Sequence, residues 1–315
     1  MKKKLVLFLL LLFPIQVFAY SNTLIVTGEP IGIEIHSNGV YIVDFYSNLN
    51  SSLKKGDKII SINQQKVESI EDLDQIVTDS GTYSIQIDRN QKIINEKLVV
   101  EKENNEIRTG LYIKDEVDGV GTLSYIDPET KIFASLGHEI LETSSNSLFD
   151  LNRGSLYEVY DESIQKNRNG RIGEIRVNFT NHVLGSIESN QVNGIYGLYQ
   201  ETLPSDHLVE VAKKDEIKLG EAYLYLNMEN QEKKYQINIL DIDKNETVKN
   251  IYFEVTDDSL LSKTGGIIQG MSGSPILQND KIIGVVNYVV VNHPKTGYGV
   301  FIEDMLEEGD KLLQS

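Results

Sequence analysis

The chain has 315 residues, 40% of them hydrophobic, with a formal net charge of −17 and no cysteine. Its length allows two domains of about 100–200 residues each, with enough apolar content for packed cores. The acidity, with no basic cluster beyond the first four residues, excludes a phosphate-neutralising face, so nucleic acid is not expected as a partner; the missing thiols exclude a cysteine nucleophile, disulfides and Cys-zinc sites.

Residues 1–20 open with Lys2, Lys3 and Lys4, continue with an apolar run from Leu5 to Phe13 and end in Val17-Phe18-Ala19. A basic start, an apolar middle and a small residue at a cut site describe a signal peptide cleaved after Ala19. An uncleaved membrane anchor is the competing reading, which Pro14 and Gln16 weaken. Either way the remainder is exported, and membrane contact is expected only through this segment.

Residues 24–100 read as a small β-rich module. Ile31, Ile33 and Ile35 alternate with Gly32 and Glu34, the pattern of a half-buried strand. Val40 to Phe45 is a second strand, expected to follow a turn at Asn38-Gly39. Next come Leu53-Lys54-Lys55-Gly56-Asp57-Lys58-Ile59-Ile60-Ser61-Ile62-Asn63 and Val67-Glu68-Ser69-Ile70-Glu71-Asp72-Leu73. Both stretches resemble the middle of PDZ domains, with Ser69 capping a helix from Ile70 to Val77 and Asp72 completing a capping box. PDZ domains take an extended peptide by strand addition. The resemblance puts that peptide beside Ile31, Gly32 and Ile33. Here Pro30 offers no N–H and Glu29 repels a terminal carboxylate, so an intramolecular ligand is as admissible as a free C-terminus.

Residues 101–109 are charged and aperiodic, the signature of a linker. Beyond them, over residues 110–315, short strands follow one another between Asn-, Gly- and Asp-containing turns, with helical periodicity only from Phe301 to Leu313. That spacing predicts a mostly β protein, a Greek-key barrel or a pair of them.

The chemistry gathers at Gly270-Met271-Ser272-Gly273-Ser274-Pro275, a serine on a glycine-flanked turn before a β-hairpin. Glycines let the backbone reach φ > 0 and bring N–H groups close to a reacting atom. The stretch resembles the nucleophile turn of trypsin-like proteases and makes Ser272 the attacking hydroxyl. The backbone N–H groups of Gly270 and Ser272 are then the expected oxyanion donors. Of five histidines, His36, His182, His207 and His293 sit in turn or loop contexts. His138 instead ends an apolar strand, Phe133-Ala134-Ser135-Leu136-Gly137-His138, beside small residues that admit substrate, and is the expected general base. A carboxylate should orient it. Asp257 is the first choice and Asp258 the alternative, while Asp150 and Asp161 fit a trypsin-like spacing from the histidine better.

Taken together these stretches resemble the SpoIVB peptidase family over nearly the whole chain. The carrying motifs are Gly110-Leu111-Tyr112-Ile113-Lys114-Asp115, Gly119-Val120-Gly121-Thr122, Leu136-Gly137-His138, and Thr264 through Ile276 with Gly265-Gly266 and the serine turn. The resemblance implies an N-terminal PDZ domain followed by a chymotrypsin-like double β-barrel. It places the family's histidine and serine on His138 and Ser272 and its acidic residue on Asp257. It also implies an exported serine endopeptidase in the space between forespore and mother-cell membranes. Such an enzyme cleaves itself and an envelope regulatory protein, in signalling that leads to late sigma-factor activation. Two other readings are an inactive PDZ/protease-like scaffold and an HtrA-like quality-control protease, the latter disfavoured because the PDZ comes first here. No motif for a metal, nucleotide or flavin is present, so no cofactor is expected.

Overall fold

The computed structural model describes residues 21–168, 171–204, 207–229 and 231–314; the segment read as a signal peptide or anchor lies outside them. The chain enters as β1 (Thr23–Ile25) and then β2, a 16-residue strand over Pro30–Phe45. Its apolar alternation is used as expected: Ile31, Ile33 and Ile35 are all buried. The Asn38-Gly39 hairpin does not form. Residues 37–40 make a bulge in one continuous strand, which advances from His36 to Tyr41 while its partner moves only from Glu116 to Lys114. Both halves of β2 pair with that distant strand, a longer ladder than a two-residue turn could supply.

Beyond the bulge, between the end of β2 and the strand it pairs with, lies the PDZ domain. It comprises β3 (Lys58–Ile62), β4 (Gln65–Lys66), helix α1 (Ile70–Ile76), β5 (Gly81–Arg89), β6 (Lys92–Glu103) and β7 (Glu106–Arg108). α1 starts as its sequence dictates: Ser69 accepts from the Asp72 N–H while Asp72 accepts from the Ser69 N–H, both halves of a capping box. Val40, Ile42, Ile59, Ile62, Leu73, Ile85, Ile87 and Leu98 form its core. Residues 101–109, read as a linker, instead close a hairpin in which Glu101 pairs with Arg108.

The chain then leaves through β8 (Leu111–Ile126). The first half of β8 pairs with Tyr41–Phe45 in the PDZ domain, and the second half pairs with Pro30–His36. Following it are β9 (Ile132–Ser135), β10 (Leu141–Glu142), β11 (Ser147–Leu148), β12 (Arg153–Gln165), β13 (Glu174–Gln191) and β14 (Gly194–Tyr199). Ladders β12–β2, β2–β8, β8–β9, β9–β14, β14–β13 and β13–β12 close a six-stranded barrel. Ile31, Ile33, Leu123, Phe133, Leu156 and Ile187 fill it, each burial stabilising by about 1.5–3 kcal/mol.

Next come β15 (Leu208–Val211), β16 (Gly220–Met228), β17 (Gln231–Ile242), β18 (Ile251–Val255), α2 (Asp258–Thr264), β19 (Pro275–Gln278), β20 (Lys281–Val289), β21 (Thr296–Phe301) and α3 (Ile302–Gly309). A second ring closes through β16–β17, β17–β18, β18–β21, β21–β20, β20–β19 and β19–β16. α3 packs into the core shared by the two barrels, with Met305 and Leu306 beside Tyr125 and Tyr196. The fold is mostly β, a PDZ domain with a chymotrypsin-like double barrel.

The expected boundary at residue 100 needs correction. β1 and the first half of β2 belong to the first barrel, and the PDZ domain interrupts the β2–β8 hairpin of that barrel. Ile31, Gly32 and Ile33 are therefore not a peptide-binding edge. Gly32 pairs with Val120 on one side and Tyr157 on the other, so both edges of the strand are taken.

Candidate active site

Ser272 sits half-buried between the barrels on the turn that leads into β19. Gly270 and Gly273 both have left-handed backbones, φ +96° and +93°. At Gly273 a Cβ would lie 2.3 Å from the Thr122 carbonyl oxygen, so no larger residue fits. The turn is bolted to the second barrel by Gly273 N–H donating to Val286 O and Val286 N–H to Ser274 O. It is bolted to the first barrel by Thr122: its N–H donates to Ser272 O at 2.9 Å, and its Oγ1 to Gly270 O at 2.8 Å. Ser135 Oγ in turn donates to Thr122 O. Thr122, buried on β8, is a positioning residue that reasoning about side-chain chemistry did not single out. Its signal was the run of small residues Gly119-Val120-Gly121-Thr122.

The two expected oxyanion donors remain available. Among the described residues, neither the Gly270 nor the Ser272 N–H donates to a backbone or side-chain acceptor, although Gly270 is buried. Unpaired buried N–H groups are rare, and here they flank the serine.

His138 reaches the same seam from β9. Leu136 and Gly137 adopt successive left-handed conformations, φ +71° and +68°. This sharp corner throws the imidazole against β20, where it stacks on the Tyr288 ring at 5.5 Å with 24° between planes. The preceding residue, Asn287, accepts from Ser272 Oγ through its carbonyl at 3.4 Å. Histidine and serine thus converge on one two-residue stretch of β20. They do not hydrogen-bond to each other; His138 Nδ1 lies 2.8 Å from the Glu139 carbonyl. A carbonyl only accepts, so the ring proton is on Nδ1 and Nε2 keeps its lone pair. Burial holds the His138 pKa below its ordinary value, against the upward pull of the Glu139 carbonyl and carboxylate. Burial, with the nearby Glu139 charge, also pushes the Tyr288 hydroxyl up to about 12.

Asp257 is not brought to His138. Its side chain caps α2, accepting from Leu260 N–H at 3.0 Å and from Ser259 Oγ, and its own N–H donates to Gln236 O. Asp258 is exposed in the first turn of that helix. Asp150 pairs with Lys58 of the PDZ domain, and the side chain of Asp161 lies outside the described residues. Among the described residues no carboxylate takes the third place, and the Glu139 carbonyl fixes the tautomer instead.

The loop after His138 is held from the PDZ side. Glu142, fully buried, accepts from the Ser144 and Ser145 N–H groups and lies 3.2 Å from Lys114 Nζ on β8. Ser144 Oγ donates to Val43 O, and the Phe149 ring meets that of Tyr41 at 5.3 Å.

Known proteins similar to the chain include solved structures and one family. No curated protein matches the chain. Among solved structures, the PDZ domain of the SdrC-like protein Lmo2051 from Listeria monocytogenes is similar at 15% identity, over 25% of this chain and 90% of that one, with a TM-score of 0.23. The active form of the Rv3671c protease from M. tuberculosis is similar at 13% identity, over 61% of this chain and 72% of that one, with a TM-score of 0.34. An inactive form of the same protease gives 15% identity, 62% and 84% coverage, and a TM-score of 0.32. A family model described as SpoIVB peptidase S55 matches residues 105–306, more than half of the chain. The chain belongs to the SpoIVB peptidase family and is a serine endopeptidase.

Proposed function

We propose that Ser272 is the nucleophile and His138 its general base, cleaving peptide bonds by acyl transfer. His138 Nε2 accepts the Ser272 proton, Ser272 Oγ bonds to the carbonyl carbon, and the developing oxyanion is met by the Gly270 and Ser272 N–H groups. The amine leaves with the proton from His138, and water hydrolyses the acyl-enzyme by the same route. The observation that carries this reading is the pair of free N–H groups beside a serine that shares two residues of β20 with an unprotonated imidazole nitrogen. The Ser272–Asn287 bond at 3.4 Å is long for a hydroxyl. In the proposed mechanism the hydroxyl leaves this bond for the ring when substrate binds, since catalytic hydrogen bonds often tighten only then.

The peptide-binding edge of the PDZ domain belongs, in this reading, to the first half of β8. Among the described residues Leu111–Lys114 have a ladder on the β2 side only, and α1 lies alongside, its Ile70 N–H bonded to Asp115 Oδ2. A peptide adding there receives backbone bonds on one side and the helix on the other. Export, action between forespore and mother-cell membranes, self-cleavage and cleavage of an envelope regulator in sporulation signalling are part of the same proposal, which membership of the family supports. The test is Ser272→Ala. It should leave folding intact while abolishing both peptide cleavage and labelling by a fluorophosphonate, and an N-terminus shared by wild type and variant would remove self-processing. Labelling of the variant at the wild-type rate would remove the mechanism.

A further inference from the structure

The β12–β13 hairpin runs past the first barrel and lays its turn end against the nucleophile segment. Ile175 N–H donates to Gln269 O at 2.8 Å, and Gln269 N–H donates to Gly173 O at 2.9 Å. In a trans peptide the C=O and the following N–H point in opposite directions. Holding the Gln269 carbonyl toward Ile175 therefore turns the Gly270 N–H away from the hairpin and leaves it unpaired. The far side of Gly270 is fixed as well, because its carbonyl accepts from Thr122 Oγ1. Ile175 packs so closely that a Cβ on Gly270 would lie 2.9 Å from the Ile175 Cβ.

One side chain sets this turn end. Asn167 Oδ1 accepts from Gly173 N–H at 2.7 Å, its Nδ2 donates to Ile267 O at 3.0 Å, and its own N–H donates to Thr264 O at 2.8 Å. It ties Gly173, whose carbonyl grips Gln269, to the two residues that open the approach to Gly270.

We infer that the β12–β13 hairpin is a clamp on the oxyanion hole and that Asn167 is the positioning residue that sets it. Asn167 touches no reacting atom and acts through Gly173 and Gln269. The inference rests on Ser272 being the nucleophile.

The test compares wild type, Asn167→Ala and Asn167→Asp, using the full chain and a fluorophosphonate whose phosphoryl oxygen must enter the hole. Losing one oxyanion donor outright costs about 100–1,000-fold, and a loosened donor forfeits part of that. Asn167→Ala should slow the maximal labelling rate by about tenfold or more, leave the probe's half-saturating concentration unchanged, and leave the rate of His138 carbethoxylation by diethyl pyrocarbonate unchanged. Asn167→Asp keeps the acceptor for Gly173 and loses the donor to Ile267, so the loss should be about threefold. Wild-type maximal rates in both variants would overturn the clamp while leaving Ser272 as nucleophile. A fall in labelling matched by a fall in carbethoxylation and in melting temperature would also overturn it, as plain destabilisation. Should Asn167→Ala lose its cooperative melt, Asn167→Asp decides alone, a wild-type rate overturning the clamp. Failure of the wild type itself to label would sink nucleophile and clamp together.

Discussion

His138 donates Nδ1–H to a backbone carbonyl at 2.8 Å and is held below its ordinary pKa mainly by burial. A depressed pKa keeps the ring neutral to lower pH, so fluorophosphonate labelling through the proposed base should persist to a lower pH than an ordinary histidine would allow. Because the Glu139 charge pulls the ring's pKa up, Glu139→Gln should move that acid limb to still lower pH, read from the pH profile of fluorophosphonate labelling. Asp257 gives an opposing test. As a helix N-cap, its replacement by alanine should cost about 0.5–2 kcal/mol in a denaturation midpoint and keep activity within about tenfold of wild type. A loss of about 10⁴, the size seen when a triad aspartate is disabled, would restore it as the partner of His138. Ser272 and His138 were legible as candidates, and the fold brings both to β20, because glycine flanks and a strand-end imidazole are local features. For Asp257 it carried two local messages: the Asp-Asp-Ser-Leu-Leu run is a helix start as well as an acidic pair near the serine, and the cap is the use to which the fold puts it.

Elements tell a different story from residues, since their partners are chosen at a distance. The α1 capping box was readable because Ser69 and Asp72 lie three positions apart. The alternation of Ile31, Ile33 and Ile35 was readable as a strand, but it reads identically in a PDZ sheet and in a barrel; only pairing with Val117–Gly121, more than eighty residues on, decides. The loop after His138 is similar. Glu142 looks like a surface acid in sequence, yet it is fully buried, holds its own turn and faces Lys114. Removing one partner of a buried charged pair is costly, so Lys114→Ala should lower stability by about 3 kcal/mol, measured by chemical denaturation. Stability unchanged within error would mean that the Ser144 and Ser145 N–H groups alone suffice for the carboxylate.

On the scale of the whole molecule, two closed six-stranded rings meet along the seam that holds Ser272 and His138, and the PDZ domain is spliced into one hairpin of the first ring. Composition and strand spacing announced a mostly β chain with one Greek-key barrel or a pair of them. They could not show that the N-terminal residues 23–36 complete the peptidase, because nothing in a local window records a ring closing. A fragment beginning at residue 101 therefore lacks β1 and β2 and leaves the first ring open. It should show neither a cooperative melt nor fluorophosphonate labelling, and a stable, labelled fragment would contradict the ring closure described above. The insertion has a practical corollary. His36 and Glu116 are cross-strand neighbours, which places their Cα atoms about 4.5–5.5 Å apart, a gap that an Asn-Gly dipeptide can bridge. Nearly eighty residues of recognition module can in principle be excised and the cut healed with a tight reverse turn. What remains would keep Ser272, His138 and the Gly270 turn but lose Tyr41, Val43 and Lys114, so the loop after His138 would have to hold without its braces.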